Sequence, residues 1–286
     1  MSRTFEGAER NRLVASEIGT AERCILLLHG GGQTRHAWSR TARRLAEAGW
    51  RAIAIDQRGH GDSAWSEHGA YAAGDYGADV AAVAWRIAQE HGDKPVVIGA
   101  SLGGIAALTA LADAGEPPFS GLVLVDIVPR MDPAGVAHVQ GFMRAKAQEG
   151  FGSVEEAAQA VAAYLPHRPK PSSLDGLKKN LRHHADGRWR WHWDPRFLDG
   201  PRSINTDWDA AENRLEAAVR TLQVPALLVR GGSSELVPPE AARAFVDLAP
   251  DADYVDVEQV RHMVAGDRND VFCDAILAFL CRRFPA

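Results

Sequence analysis

Apolar residues in the first half of the chain fall into four short unbroken runs: Cys24–His29, Arg51–Asp56, Pro95–Ala100 and Gly121–Asp126. Runs that are apolar on both faces suit strands buried in a parallel sheet, whereas a half-exposed strand alternates. Helical spacing fills the gaps between them. Trp38, Ala42 and Leu45 share one face, as do Val80, Val83, Ala84 and Ile87, and Gly92 is placed to stop the second helix. A third helix is predicted from Ser101 to about Ala114. Strand alternating with helix predicts an α/β fold with a mostly parallel central sheet flanked by helices. The rhythm returns late, with strands over Pro225–Arg230 and Asp253–Val257 and helices over Pro238–Ala249 and Asn269–Arg283.

Residues 131–215 interrupt it. Four helices are predicted in succession: Pro133–Gln148, Val154–Tyr164, Ser173–His183 and Asp207–Leu222. A proline-rich connector, Pro166-His167-Arg168-Pro169-Lys170-Pro171, lies between the second and third. The expected organisation is therefore a core made of 1–130 and 216–286, with 131–215 inserted as a helical cap. Trp189, Trp191, Trp193, Phe197 and Trp208 concentrate aromatic surface in the cap, and an extended backbone would put the first three on one face.

The chain has 286 residues, 46% hydrophobic and 24% charged, which excludes a disordered protein. Its net charge of -5, with Lys and Arg scattered, marks no phosphate-binding face, so no nucleic-acid partner is expected. Three unpatterned cysteines, Cys24, Cys273 and Cys281, fit neither a disulfide framework nor a zinc site and suggest a reducing compartment. Met1–Asn11 lacks the apolar core of a signal peptide, and no apolar run approaches the ~20 residues of a membrane span. A soluble cytoplasmic protein without metal, cofactor or membrane partner is the expectation.

Gly99-Ala100-Ser101-Leu102-Gly103 follows a predicted strand and opens a predicted helix, the context in which G-x-S-x-G lifts a nucleophilic serine on a tight turn. His29-Gly30-Gly31-Gly32 ends another strand. A glycine run there lets main-chain N–H groups approach a bound carbonyl, and Gly31 with Leu102 would form an oxyanion hole. Glu235 and His262 follow later strands, so parallel packing would gather them with Ser101 at one sheet edge. The order Ser, Glu, His is the one this architecture predicts for nucleophile, acid and base. Gly59-His60-Gly61-Asp62-Ser63-Ala64 formally fits a dinucleotide fingerprint, but no helix pattern opens at it.

With those residues in place the chain resembles the α/β-hydrolase family, an impression strengthened by Asp56-Gln57-Arg58-Gly59-His60-Gly61-Asp62-Ser63. The resemblance covers nearly the whole chain outside the cap. It implies a serine enzyme cleaving a carboxylic ester or lactone, and it makes Asp56, Arg58 and His60 mainly architectural. Ser101 at the elbow disfavours the branches that use aspartate there. C–C bond hydrolysis, perhydrolysis and a ligand receptor of little turnover are the alternatives. The acid is usually Asp in such relatives. Glu235 occupies the corresponding loop and is preferred, with Asp126 as the alternative acid because some members place it after the earlier strand. Gly32, Trp189, Trp191, Trp193 and Met263 are the candidate substrate-binding residues for a small, mostly apolar molecule, and Arg35, Arg168 and Arg190 are candidates to pair a substrate carboxylate.

Overall fold

The computed structural model describes residues 1–286 except 167, 169–170, 172, 259–260, 263–268 and 286. Among the described residues ten strands run in chain order as β1 (Ser2–Glu6), β2 (Arg12–Ile18), β3 (Cys24–Leu28), β4 (Arg51–Ile55), β5 (Val96–Ala100), β6 (Gly121–Val125), β7 (Leu181–His183), β8 (Trp189–Trp191), β9 (Ala226–Gly231) and β10 (Asp253–Val257). Eight of them form one sheet in the order β1-β2-β4-β3-β5-β6-β9-β10. From β4 through β10 every neighbouring pair is parallel, while β1–β2 and β2–β4 are antiparallel. The two antiparallel strands escape the sequence reading, which starts its strands at Cys24. Their burial alternates too weakly at the exposed edge to mark them, although Phe5, Leu13 and Ala15 point into the core.

Successive side chains of a strand point to opposite faces, and both faces here are covered. Leu26, Leu28, Val97 and Leu124 pack on one side with residues of α2 (Ala73–His91) and α3 (Leu102–Asp113). Ile25, Leu27, Ile98 and Val123 pack on the other with α1 (Ser39–Glu47) and the C-terminal helix Asn269–Arg283. This two-sided burial explains the unbroken apolar runs. Gly92 ends α2 in the left-handed conformation, with φ 88°, that glycine adopts without strain.

The insertion leaves the sheet after β6 and holds α4 (Pro133–Arg144), α5 (Val154–Tyr164), α6 (Asp175–Lys178) and α7 (Arg196–Asp199). Asp132 caps α4 by accepting from the Gly135 N–H at 2.7 Å. The helix expected over Ser173–His183 is replaced by the short α6 and by β7, which pairs with β8 as a hairpin. Gly187, at φ 79°, closes its turn just after Asp186, and Asp-Gly between two such segments is a hairpin signal. The next helix, α8 (Trp208–Arg220), buries Leu215, Ala218 and Val219 and packs on α3 of the core. Then α9 (Pro239–Leu248) separates β9 from β10.

Main-chain bonds join residues 192–194 of the insertion to the loop after β4. The Gly61 N–H donates to the His192 carbonyl, and the Asp194 N–H to the Gly59 carbonyl, each at 2.8 Å. Asp194 is buried and accepts the Tyr71 hydroxyl proton at 2.7 Å.

Candidate active site

Ser101 stands between β5 and α3 at φ 46° and ψ −113°. A non-glycine residue at positive φ is uncommon and costs on the order of 1–3 kcal/mol, so the surroundings must impose it. They do so through close approach. A Cβ on Gly99 would lie 2.4 Å from the Gly103 carbonyl oxygen, and one on Gly103 2.4 Å from that of Leu28. The flanking glycines are thus sterically required, and α3 begins with the Ser101 carbonyl accepting from Gly104 at 2.8 Å and Ile105 at 3.0 Å. Leu102 is the first residue of that helix, where an N–H has no acceptor within the helix.

The glycine loop after β3 faces the elbow. A Cβ on Gly30 would come 3.6 Å from the Ser101 Cβ. Gly32 donates its N–H to Nε2 of His60 at 3.2 Å. That bond fixes the tautomer of His60, whose Nδ1–H donates to the Arg58 carbonyl at 3.0 Å. His60 is fully buried, and burial, followed by the neighbouring His29, pushes its pKa down to about 3. His29 is likewise pushed down to about 4 by burial; its Nδ1–H donates to the Gly30 carbonyl while Nε2 accepts from Gln57. Two neutral imidazoles therefore hold the loop from beneath, and His60 acts as scaffold. Asp56 accepts from the main-chain N–H of Arg35 at 2.6 Å and of Asp62 at 2.9 Å. Arg58 grips Asp79 with two bonds of 2.7 Å.

Asp126 directly follows β6 as Ser101 follows β5, and Ala100 and Val125 are partners in the parallel register. The two residues therefore emerge side by side, and Asp126 also has positive φ, 51°. Its carboxylate is fully buried yet accepts three hydrogen bonds. Oδ1 takes the Gly231 N–H at 2.9 Å, while Oδ2 takes the Ser234 hydroxyl at 2.6 Å and Nδ1–H of His262 at 2.7 Å. With the Nδ1 proton so placed, Nε2 of a neutral His262 carries the free lone pair.

The geometry pairs His262 with Asp126, the alternative acid, and not with Glu235, the preferred one. The turn after β9 directs Ser234, not Glu235, at the site. Glu235 lies against the insertion instead: its carbonyl oxygen would be 2.1 Å from a Cβ on Gly135 of α4, and its Oε2 is buried without a hydrogen-bond partner among the described residues. Burial and the charge of Glu235 together push the Tyr164 phenol of α5 up to about 12. Ser234 was not singled out in the sequence, and its signal was only its place beside the favoured acid.

The three expected indoles part company. Trp193 and Met143 of α4 both approach Gly32, where a Cβ would meet the Met143 Cε at 2.9 Å and the Trp193 Nε1 at 3.7 Å. Phe197 of α7 lies over Gly31, 3.2 Å from a Cβ there, and sets its ring edge-on to His60 with centroids 5.0 Å apart. Trp191 packs against Phe142 and Phe151, and Trp189 against His183, so both contribute to the interior of the insertion. Met263 lies outside the described residues. Arg35 is bonded to Asp56, Asp62 and the Ser16 hydroxyl, and Arg190 to Asp186 and the Gln148 carbonyl, so neither is held ready for a substrate carboxylate. Among the described residues no group of three or more His, Cys, Asp or Glu could hold a metal ion, and no helix is long and apolar enough to cross a membrane.

Residues 23–268 match the family described as alpha/beta hydrolase fold. Over 224 residues the sequence is 34% identical to the esterase Rv0045c of Mycobacterium tuberculosis, spanning 77% of this chain and 69% of that one. It is 28% identical over 256 residues to a 2-(acetamidomethylene)succinate hydrolase of Mesorhizobium japonicum, spanning 90% and 87%. A crystal structure of E-2-(acetamidomethylene)succinate hydrolase superposes with a TM-score of 0.84 at 24% identity over 98% of both chains. The Rv0045c structure gives 0.74 at 27% identity, over 98% of this chain and 91% of that one.

Proposed function

The chain belongs to the α/β-hydrolase fold family, and we propose that it cleaves its ester through an acyl-serine intermediate formed on Ser101. Its named relatives include an esterase and protein phosphatase methylesterases, and the chain is an ester-cleaving hydrolase. The observation that carries the proposal is the 2.7 Å bond from Nδ1–H of His262 to Asp126, beside a serine held at positive φ on the neighbouring strand.

Nε2 of His262 takes the Ser101 proton as Oγ bonds to the carbonyl carbon. The carbonyl oxygen, now an oxyanion, accepts from the N–H groups of Gly31 and Leu102. When the tetrahedral species collapses, the imidazolium gives its proton to the departing alkoxide. Water then attacks the acyl-serine with His262 again as base, releasing the acid and restoring Ser101. Asp126 fixes the tautomer and stabilises the imidazolium while remaining ionised. Gly32 serves the loop rather than the oxyanion, since its N–H is engaged by His60.

The substrate is a carboxylic ester or lactone with a mostly apolar acyl group. Met143, Trp193 and Phe197 close over the glycine loop, and three apolar side chains there favour such a group. We assign the insertion, about residues 131–215, the part of a cap that roofs this pocket.

The test is turnover of a chromogenic short-chain ester by the wild type and by Ser101→Ala. Loss of a triad serine typically costs on the order of 10⁶ in kcat. Turnover within about tenfold of wild type, far short of that loss, would overturn the nucleophile assignment. An adduct of an alkyl phosphonate on Ser101, with its oxygen within hydrogen-bond reach of the Gly31 and Leu102 N–H groups, is the expected structural result.

A further inference from the structure

We propose that Ser234 is a positioning residue of this reaction: its hydroxyl is a fixed donor that aims the Asp126 carboxylate at His262. The inference rests on the triad reading above and adds to it the group that sets the acid.

A serine hydroxyl has two lone pairs and one proton. Ser234 Oγ accepts the N–H of Leu236 at 3.1 Å and that of Val237 at 3.0 Å. Both lone pairs are thus used, and the proton has one direction left. It goes to Oδ2 of Asp126 at 2.6 Å, a short bond of the kind made to ionised acceptors. The hydroxyl therefore cannot turn its proton away from Oδ2 and become a spectator to the carboxylate. It presents a hydrogen wherever Oδ2 must be.

The second partner of the carboxylate comes from the same turn. Gly231 donates to Oδ1 at 2.9 Å, and the turn is closed by the Ser234 N–H donating to the Gly231 carbonyl at 2.8 Å. One turn after β9 thus holds both oxygens of an acid that follows β6. If the Ser234 hydroxyl were removed, the carboxylate would keep a single main-chain donor on Oδ1 and rotate more freely about Cβ–Cγ. Oδ2 would then meet Nδ1 less often in line. The same hydroxyl also shares the negative charge on Oδ2 with His262. Without it both the alignment and the charge that the ring meets would change, and with them the pH dependence of the reaction.

Two consequences separate this role from simple support of the loop. In Ser234→Ala, kcat should fall by about ten- to a hundredfold, the scale of losing one hydrogen bond to a charged group, with KM within about threefold. The acid limb of the kcat/KM profile should move. Ser234→Thr, which keeps the hydroxyl, should restore kcat to within about threefold and return the limb to its place, on the same one-bond argument. Glu235→Gln, in the same turn, should leave the limb unmoved.

The experiment is steady-state hydrolysis of a p-nitrophenyl ester from pH 5 to 9 for these variants and Asp126→Asn, with thermal melts of each. An alanine variant with wild-type kcat and an unmoved limb overturns the inference. So does a slowed alanine variant whose limb is unmoved and which threonine does not rescue. If Asp126→Asn is fully active, the triad reading itself fails; if it collapses while Ser234→Ala is unaffected, only the positioning role fails. Should Ser234→Ala not fold, Ser234→Cys keeps the shape and weakens the donor. Wild-type kcat and an unmoved limb in the cysteine variant overturn the inference equally.

Discussion

Replacing Asp126 with asparagine deletes one charge and almost no volume, and its cost follows from the three donors already converging there. Gly231 N–H, Ser234 O–H and His262 Nδ1–H all point at this carboxylate. An asparagine can present oxygen to one side only. If its NH2 group replaces Oδ1, it meets the Gly231 N–H head-on. If it replaces Oδ2, it meets a serine proton that has no other direction and an imidazole that must change tautomer to accept. The second placement puts the protonated ring nitrogen toward Ser101, and the serine loses its base. Such a tautomer error costs about 10⁴ in kcat, or about 5.5 kcal/mol of transition-state stabilisation. Either placement also leaves at least one buried donor unmatched, at about 1–3 kcal/mol of folding stability, enough to lower the melting temperature by about 2–5 °C. Glu235→Gln has neither consequence, because no donor among the described residues meets Oε2; its kcat should stay within about threefold, as for a residue outside the reacting set. The assay is kcat on a p-nitrophenyl ester together with calorimetric melts. A reversed ranking, with Glu235→Gln falling by about 10² or more and Asp126→Asn by less than about tenfold, would refute the reasoning.

The two buried histidines make stability depend on pH. Their folded pKa values, about 4 for His29 and about 3 for His60, lie below the unfolded value near 6.5. The unfolded chain therefore binds more protons below about pH 6.5, and stability present above that pH should drain away by about 1.4 kcal/mol per pH unit for each group as pH falls toward the folded values. Urea titrations at pH 7 and 5 measure this, and His60→Gln should flatten the slope; an equal slope in both proteins would contradict it. Gly103→Ala should destabilise by about 3 kcal/mol or more, since its Cβ would press to 2.4 Å on a main-chain oxygen of β3, and a melt within a degree of wild type would count against the steric account of the elbow. Trp193→Ala should change the ratio of kcat/KM between short and long acyl esters. Trp191→Ala should instead lower stability by about 3–5 kcal/mol and leave that ratio in place, and the opposite pattern would exchange their roles.

The nucleophile elbow and the glycine loop were legible because each is a local motif: a strand, a turn of a few residues and the start of a helix. The parallel sheet was legible for a similar reason, since double-sided burial writes itself as runs such as Cys24–Leu28. Which carboxylate meets His262 was not, and the reason is physical. Two strands of one sheet edge each end near a carboxylate, and sequence order cannot say which reaches the histidine. That depends on the register that sets Asp126 beside Ser101, and on which residue of the turn after β9 faces inward. A shift of one residue in that turn separates Ser234 from Glu235. The hairpin β7–β8 was missed because three-residue strands carry too little periodicity, although Asp186-Gly187 stood between them. The edge strands β1 and β2 were missed where solvent exposure dilutes alternation.

The bonds between residues 59–61 and 192–194 bear on how the insertion can be exchanged between enzymes. It departs from the sheet after β6 and returns before β9, which invites cutting at those two joints and transplanting the segment to alter selectivity. A graft cut there would arrive with the carbonyl of His192 and the N–H of Asp194 seeking partners on a host loop of different shape. Tyr71 of the host would also have to supply the hydroxyl that Asp194 accepts. The unit of modular transfer is therefore larger than the insertion: it includes the loop after β4 and the tyrosine beyond it. A chimera built with those pieces carried together should fold where the bare segment would not.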